Sequence, residues 1–413
     1  MKTKQPFLRS IHPNIWFLTA GSFLTDVSSE MLFNLLPLFL ANVLGVRTSI
    51  VGLIEGLAET TSSLFKVYSG ALSDKLGRSK FLTVLGYALS TIAKPFLFFA
   101  VTWEWVLGVR FADRVGKGIR TAPRDALLAG STPADQRGLA FGLHRAGDTA
   151  GAFTGLAIAT YVIWASQAGS QLLTRATFQK IVLVSIIPSL LAVIILAVGV
   201  RDILTASDKT SGTGQAETGK PKGTWKSLGK PFIAFLCIII LFTLGNSSDA
   251  FITLRGQERG LNVIHIMLML LTFNAVYTIL ASPAGSLSDR IGRRKLLLGG
   301  WFVYGLTYLG FALAKTGWQV WVFYGCYGIY YAATEGVAKA LVADIVPAQK
   351  RGTAYGLYNA AIGLTAFPAS LIAGILWQGL GGWSGFGPSA PFYFGGLMAI
   401  LSGVLLFLLV KEK

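Results

Sequence analysis

Twelve stretches of about 20 or more mostly apolar residues run through this chain, and that pattern leaves few folds open. Each is long enough to cross roughly 30 Å of hydrocarbon as a helix rising 1.5 Å per residue. In lipid only helices and closed barrels satisfy their own backbone polar groups. The pattern predicts an all-α integral membrane protein with spans at 14–42, 48–70, 80–101, 104–128, 138–165, 179–200, 231–254, 262–284, 296–314, 318–342, 353–378 and 390–410. Composition agrees: 53% of the 413 residues are apolar and only 13% charged, against about 25% charged in a soluble protein. The formal charge of +17 is spread between the apolar runs, so the partner it implies is the lipid bilayer and not nucleic acid.

Cys237 and Cys326 lie in apolar segments without a CxxC partner or a nearby His, so neither a disulfide, nor a metal site, nor a bound cofactor is expected, and both read as packing residues. The basic stretch before Asn14 leads into an apolar run that is too long, and too polar at its centre, for a cleavable signal. It reads as the first span.

Between spans six and seven the segment SDKTSGTGQAETGKPKG has no apolar periodicity. The expected organisation is a six-helix bundle over 1–200, a flexible linker over 201–230 and a second six-helix bundle over 231–413. Trp103, Trp105, Trp318 and Trp321 fall at span ends, as interfacial aromatics do. With both termini on one side, the segments of that side hold 21 Lys and Arg. The opposite loops hold six, namely Arg47, Arg175, Lys180, Arg255, Arg259 and Lys315. The positive-inside rule therefore predicts a multi-pass protein of the cytoplasmic (inner) membrane with both termini in the cytoplasm.

The two halves repeat each other. GALSDKLGRSK from Gly70 recurs as GSLSDRIGRRK from Gly285, and Pro133 with RGLAFG from Arg137 recurs as Pro347 with RGTAYG from Arg351. Two matches at nearly one offset indicate duplication. With six plus six spans, a polar central linker and G-x-x-x-D-[KR]-x-G-R-[KR]-[KR] in both halves, the chain resembles the major facilitator superfamily of secondary transporters. Its one departure from the motif is Ser79. The resemblance implies two pseudo-symmetric bundles around a central cavity and alternating access by rocking of the halves. It names no substrate. In the repeated loop, Gly77 and Gly292 permit a tight turn, and Asp74, Arg78, Asp289 and Arg293 are expected to form an inner gate. The alternative is that the basic residues there serve only as topology signals.

An Asp, Lys or Arg at mid-span costs about 2.5–3.5 kcal/mol on insertion scales, so such residues are expected to face water or one another. The load is lopsided: the first half carries many, the second only Asp249, Glu335 and Lys339. On span one, Asp26, Glu30 and Asn34 share a stripe at i, i+4, i+8. Two carboxylates one turn apart repel, which favours taking up a coupling proton or a cation. The competing reading is a static ion pair with arginines of span four.

Span four, RFADRVGKGIRTAPRDALLAG, places Arg114 and Lys117 nearest mid-membrane. Arg120 and Arg124 lie closer to its end, where snorkelling or pairing with Asp125 is expected. Glu59 lies mid-span in span two, with Glu55 one turn away. In span five His144 and Asp148 are one turn apart, and Asp148 with Arg145 is expected to join the network of spans one and four. Gly147, Gly151, Ala152 and Gly155 are expected to pack that helix closely on a neighbour. The family resemblance implies that spans one, four, seven and ten line the cavity, which adds Asn246, Asp249, Tyr330 and Glu335 to the candidate substrate or proton site.

The expected function is secondary active transport of a small polar or charged solute, coupled to protons and carried out by a monomer. A divalent metal or cationic drug exporter using Asp26 and Glu30 is the alternative. A non-transporting receptor on the same scaffold would be expected to add a signalling domain or tail, of which Lys411 to Lys413 gives little sign. An enzyme finds no support, because no Gly-x-Ser-x-Gly, metal-hydrolase or phosphate-loop motif appears.

Overall fold

A computed structural model describes residues 12–76, 78–133, 137–167, 169–202, 228–347 and 350–410, with the side chains of 71, 74, 75, 137–139 and 352 left out. Most of the expected linker lies outside the described residues. The described chain forms twelve long helices: α1 Pro13–Val43, α2 Thr48–Leu76, α3 Ser79–Phe99, α4 Trp103–Gly130, α5 Arg137–Gln167, α6 Arg175–Gly199, α7 Lys230–Glu258, α8 Val263–Ile291, α9 Arg293–Leu313, α10 Gly317–Ile345, α11 Arg351–Gln378 and α12 Ala390–Leu409. Nine of them are apolar enough to cross a membrane on composition alone, and the exceptions are α2, α4 and α10. Those three carry much of the ionic and tyrosine-rich lining described below. Their polarity therefore belongs to a wet interior and not to a soluble surface.

Helix starts follow their cap chemistry. Thr102 and Thr174 accept hydrogen bonds from backbone N–H groups of α4 and α6, and Thr316 with Gln319 forms a capping box at α10. Gly292 turns the chain between α8 and α9 at φ +96, a conformation that glycine adopts without a Cβ clash. Its counterpart Gly77 lies outside the described residues.

In the first bundle α1 packs on α5 and α6, and α4 packs on α2 and α3. In the second, α7 packs on α11 and α12, and α10 packs on α8 and α9, so each contact has its counterpart six helices on. The α1–α5 seam is close because a Cβ at Gly151 would lie 2.5 Å from the carbonyl oxygen of Phe23, and one at Gly155 would lie 2.4 Å from that of Val27. This is the expected small-residue packing. The halves meet along two equivalent pairs, α2 with α11 and α5 with α8.

Arg255, counted as a loop cation, lies inside α7 with its side chain fully buried, where it donates to the carbonyls of Phe311 and Ala312 at the end of α9. A helix C-terminus attracts a cation in that way. Cys237 is exposed on the bundle surface and does not pack inside it.

Candidate functional site

The two bundles enclose a cavity of about 670 Å3 at mid-depth, lined from α1, α2, α4 and α5 on one side and α7, α8, α10 and α11 on the other. That volume lies within the range of small-molecule sites. On the side away from the chain termini, α2 and α11 close it. A Cβ at Gly52 would lie 2.2 Å from the Ser370 carbonyl oxygen, and one at Gly374 would lie 2.6 Å from the Ser49 Cα. The Thr48 amide donates to Gln378 at 2.8 Å, and the Thr60 hydroxyl donates to the Gly363 carbonyl at 2.6 Å. Toward the termini the cavity continues into a second space of about 440 Å3 that shares Arg145, Tyr277, Tyr331 and Glu335 with it and reaches Ser288 and Asp289.

The first-half wall is an ionic ladder. Glu55 and Glu59 stand one turn apart on α2, and Arg110 and Arg114 one turn apart on α4. The two helices run in the same direction, so the rungs fall in register: Arg110 to Glu55 at 2.8 Å and Arg114 to Glu59 at 3.4 Å. Arg114 also donates to Asp113 at 3.1 Å, and Asp113 accepts the Ser90 hydroxyl at 2.5 Å. The Phe33 ring lies over both guanidinium groups, 4.1 and 5.1 Å from them, a cation–π arrangement. Arg110 and Glu55 are only 4% and 6% exposed. Even so, Nε and Nη1 of Arg110 and Oε1 of Glu55 lack partners.

This ladder explains why the static pairing that competed with the expected proton or cation site on span one does not form. Asp26 and Glu30 both line the cavity, and among the described residues neither lies within ion-pair distance of a cation, because α2 holds the arginines. Glu30 accepts instead from the Asn34 amide at 2.7 Å, at the point where α1 breaks. Lys94, fully buried on α3, donates to Ser28 and Ser29 at 2.9 and 3.0 Å and so anchors α1 between its two carboxylates. Lys117 is exposed to the cavity without an ion pair among the described residues. Arg120 does not snorkel: it is buried over the Tyr87 ring at 4.3 Å and lines the cavity. Arg124 pairs with Asp125 at 2.9 Å, as expected.

The second-half wall centres on a break in α7 at Asn246 to Asp249. Both residues line the cavity, but Tyr330 does not. Its hydroxyl accepts from Asn246 at 3.3 Å from behind the wall, and Tyr331, turned about 100° around the helix, faces the lumen instead. Arg145 does not join the first-half network. It reaches across to Tyr277 at 2.8 Å and Glu335 at 3.4 Å, and Tyr277 donates to Glu335 at 2.5 Å. Asp148 is not among the lining residues and takes His144 at 3.4 Å.

Of the gate residues, Arg293 pairs with Asp289 at 3.5 Å and with Asp344 at 2.6 Å, all within the second bundle. Arg78 is exposed, and the Asp74 side chain lies outside the described residues. The spacing expected to matter thus places Asp26, Glu30, Asn34, Glu59, Arg114, Lys117, Arg145, Asn246, Asp249 and Glu335 around one lumen. Sequence reasoning missed the Arg110–Glu55 rung, Arg120, Phe33 and Tyr277 as lining groups. The signal for the rung was available: two acids and two arginines, each pair at i, i+4 on parallel spans.

The family model for the Major Facilitator Superfamily matches residues 18–264 and 235–413. The chain belongs to that superfamily. Among relatives of this superfamily member, the uncharacterised MFS-type transporter MJ1317 of Methanocaldococcus jannaschii is 35% identical over 404 residues, 96% of this chain and 95% of its own length. The multi-drug resistance efflux pump PmrA of Streptococcus pneumoniae is 25% identical over 344 residues, 80% of each chain. Among solved structures, the nucleoside transporter NupG superposes with a TM-score of 0.73 at 13% identity over 97% of this chain and 99% of its own. A D-xylose-proton symporter gives 0.75 at 15% identity over 97% and 98%. These two similarities establish the fold. The superfamily member is a multi-pass membrane transporter of two six-helix bundles.

Proposed function

We propose that this transporter moves a small polar or charged organic solute by alternating access, coupled to protons, in the cytoplasmic membrane with both termini in the cytoplasm. The observation that carries this reading is the pair of carboxylates on the broken helix α1. Asp26 and Glu30 face a cavity closed on one side, and neither forms an ion pair among the described residues. Acids in such a place without an ion-pair partner bind protons or cations. The ladder on α4 and α2 then supplies fixed dipoles for the solute, and Lys117 supplies an accessible positive charge.

Export of organic cations is the second reading. It is favoured by the unpaired Asp26 and Glu30 and by the similarity to an efflux pump. A divalent-metal cargo is less favoured, because the described residues bring together no group of three or more His, Cys, Asp or Glu.

The test is purified protein in liposomes with a pH-sensitive dye inside, challenged with panels of organic anions, zwitterions and cations. Solute-dependent proton movement is expected for one class. Asp26→Asn and Glu30→Gln should abolish accumulation driven by a pH gradient while leaving solute exchange intact. Wild-type accumulation in both variants would remove them from coupling.

A further inference from the structure

The break in α7 is held by tyrosines from behind. Tyr304 of α9 donates its hydroxyl to the Gly245 carbonyl at 3.0 Å, which the interrupted helix leaves free. Tyr327 of α10 stands across the break, 3.2 Å from Oδ1 of Asn246 and 3.3 Å from Oδ1 of Asp249. Asn246 ends the inner segment of α7, and Asp249 begins the outer one. A hydroxyl carries one proton, so Tyr327 donates to one side of the break at a time.

We infer that Asp249, Tyr327 and Asn246 form a proton-linked hinge that governs the outer seal of the cavity. When Asp249 is ionised, the Tyr327 proton goes to its carboxylate in a charge-assisted bond, and α10 holds the outer segment Ala250–Glu258. The Asn246 oxygen keeps the Tyr308 hydroxyl at 3.5 Å. When Asp249 gains a proton, it becomes the donor to the Tyr327 oxygen, and the tyrosine proton turns to Asn246. The charge-assisted tie to the outer segment is then gone, while every donor still has an acceptor.

That segment is part of the seal. Phe251, wholly buried, lies against Trp377 of α11 with ring centroids 6.0 Å apart, and its ring tip is 3.2 Å from where a Cβ on Gly52 of α2 would stand. Loosening it should open the outer side, so the outward-open population rises as pH falls. The groups facing Asp249 are Glu59 of α2, Tyr308 of α9 and, on α10, Tyr324, Tyr327, Tyr330 and Tyr331. No cation among the described residues lies within ion-pair distance of it. Tyrosines stay neutral below about pH 9, and Glu59 is held by Arg114. Among the groups that face it, Asp249 is therefore the one whose proton changes the bonds across the break.

The inference goes beyond the coupling role proposed for α1, and its test separates the two. Spin labels at Leu172→Cys and Leu380→Cys, on exposed outer loops, in a background with Cys237 and Cys326 replaced by Ser, report the outer opening by pulsed distance measurement between about pH 5 and 9. The full-length protein in nanodiscs should show one protonation step, with the longer distance gaining at low pH. Asp249→Asn should remove the step and hold the low-pH distribution throughout. Tyr327→Phe keeps the ring and its packing but has no hydroxyl to tie α10 to the Asp249 carboxylate at any pH, so it too should lose the step and populate the longer distance throughout. Asp26→Asn should leave the step in place. A wild type without a pH step, or an Asp249→Asn or Tyr327→Phe protein with the wild-type step, would each overturn the hinge. A step removed by Asp26→Asn and not by Asp249→Asn would place the proton on α1, refuting the hinge while leaving the proposed transport function standing.

Discussion

The two walls of the cavity are built from different materials on related scaffolds. The first bundle faces the lumen with an ionic ladder, Arg110–Glu55 and Arg114–Glu59, backed by Asp113 and capped by Phe33. The second faces it with a broken helix held by uncharged tyrosines, Tyr304, Tyr308, Tyr327 and Tyr330, whose rings stack among themselves. Both bundles place a helix break at the lumen, at Asn34 in α1 and at Asn246 in α7. Duplication kept that architecture while the side chains diverged. Long-range charge is thus concentrated in one half, and the other half offers hydrogen bonds and aromatic surface. A rocking motion of one half against the other then moves hydrogen-bonding and aromatic groups past the ladder, and among the described residues the one ion pair it has to separate is Arg145–Glu335.

If the ladder is the stiff half, breaking a rung should have the largest effect. Arg110→Ala leaves Glu55 buried and unpaired, a loss of about 3–5 kcal/mol. Thermal unfolding in detergent should fall by many degrees, and expression should drop with it. The double change Arg110→Met with Glu55→Leu replaces the pair by apolar volume and should recover most of that stability while transport stays lost. A single variant as stable as wild type would show that the rung is hydrated and that the first wall is no stiffer than the second.

The seal between the walls is next in size. Gly52→Val places methyl groups where the Ser370 carbonyl already stands 2.2 Å from an ideal Cβ, so α2 and α11 must part. Clashes of this kind cost about 1–3 kcal/mol. The conformational balance should move toward the outward-open form by roughly 5- to 150-fold, read as faster labelling of a cysteine introduced at Ser370. Unchanged labelling would mean that the seal does not rest on backbone contact.

Much of this was legible in the chain. Twelve spans, the duplication and the acid stripe Asp26–Glu30–Asn34 follow from period and length, because lipid penalises any charge that lacks a reason. What was not legible is direction around a helix and choice of partner. Arg145 and Asp148 are nearly one turn apart, yet one crosses to the other bundle and the other takes His144, and nothing in their spacing selects between those outcomes. Tyr330 and Tyr331 are adjacent in sequence, and only the packing of α10 decides which faces water. Arg255 looked like a loop cation because a span boundary read from hydropathy stops at the first charge, whereas the carbonyls ending α9 draw that charge into the helix.

The smallest expected effect lies where the two walls touch near the termini. Arg145 with Glu335 is the one ion pair among the described residues that joins the halves, and the side chains are 57% and 38% exposed. Exposed pairs are worth about 0.2–1 kcal/mol and weaken with salt. Arg145→Gln should therefore raise the population open on the terminal side by no more than about fivefold, with thermal stability unchanged. The Tyr277 hydroxyl still donates to Glu335 in that variant, so the carboxylate keeps a partner and the loss is confined to the tie between halves. The measurement is the accessibility of a cysteine at Gly285, on the terminal side of this contact, to a charged reagent at low and high ionic strength. Wild type should approach the variant as salt is raised, because screening and substitution remove the same interaction. A salt-independent difference would mean that Arg145 acts through packing on the Tyr277 ring, and the contrast between an ionic wall and a tyrosine-held one would then not extend to the place where they meet.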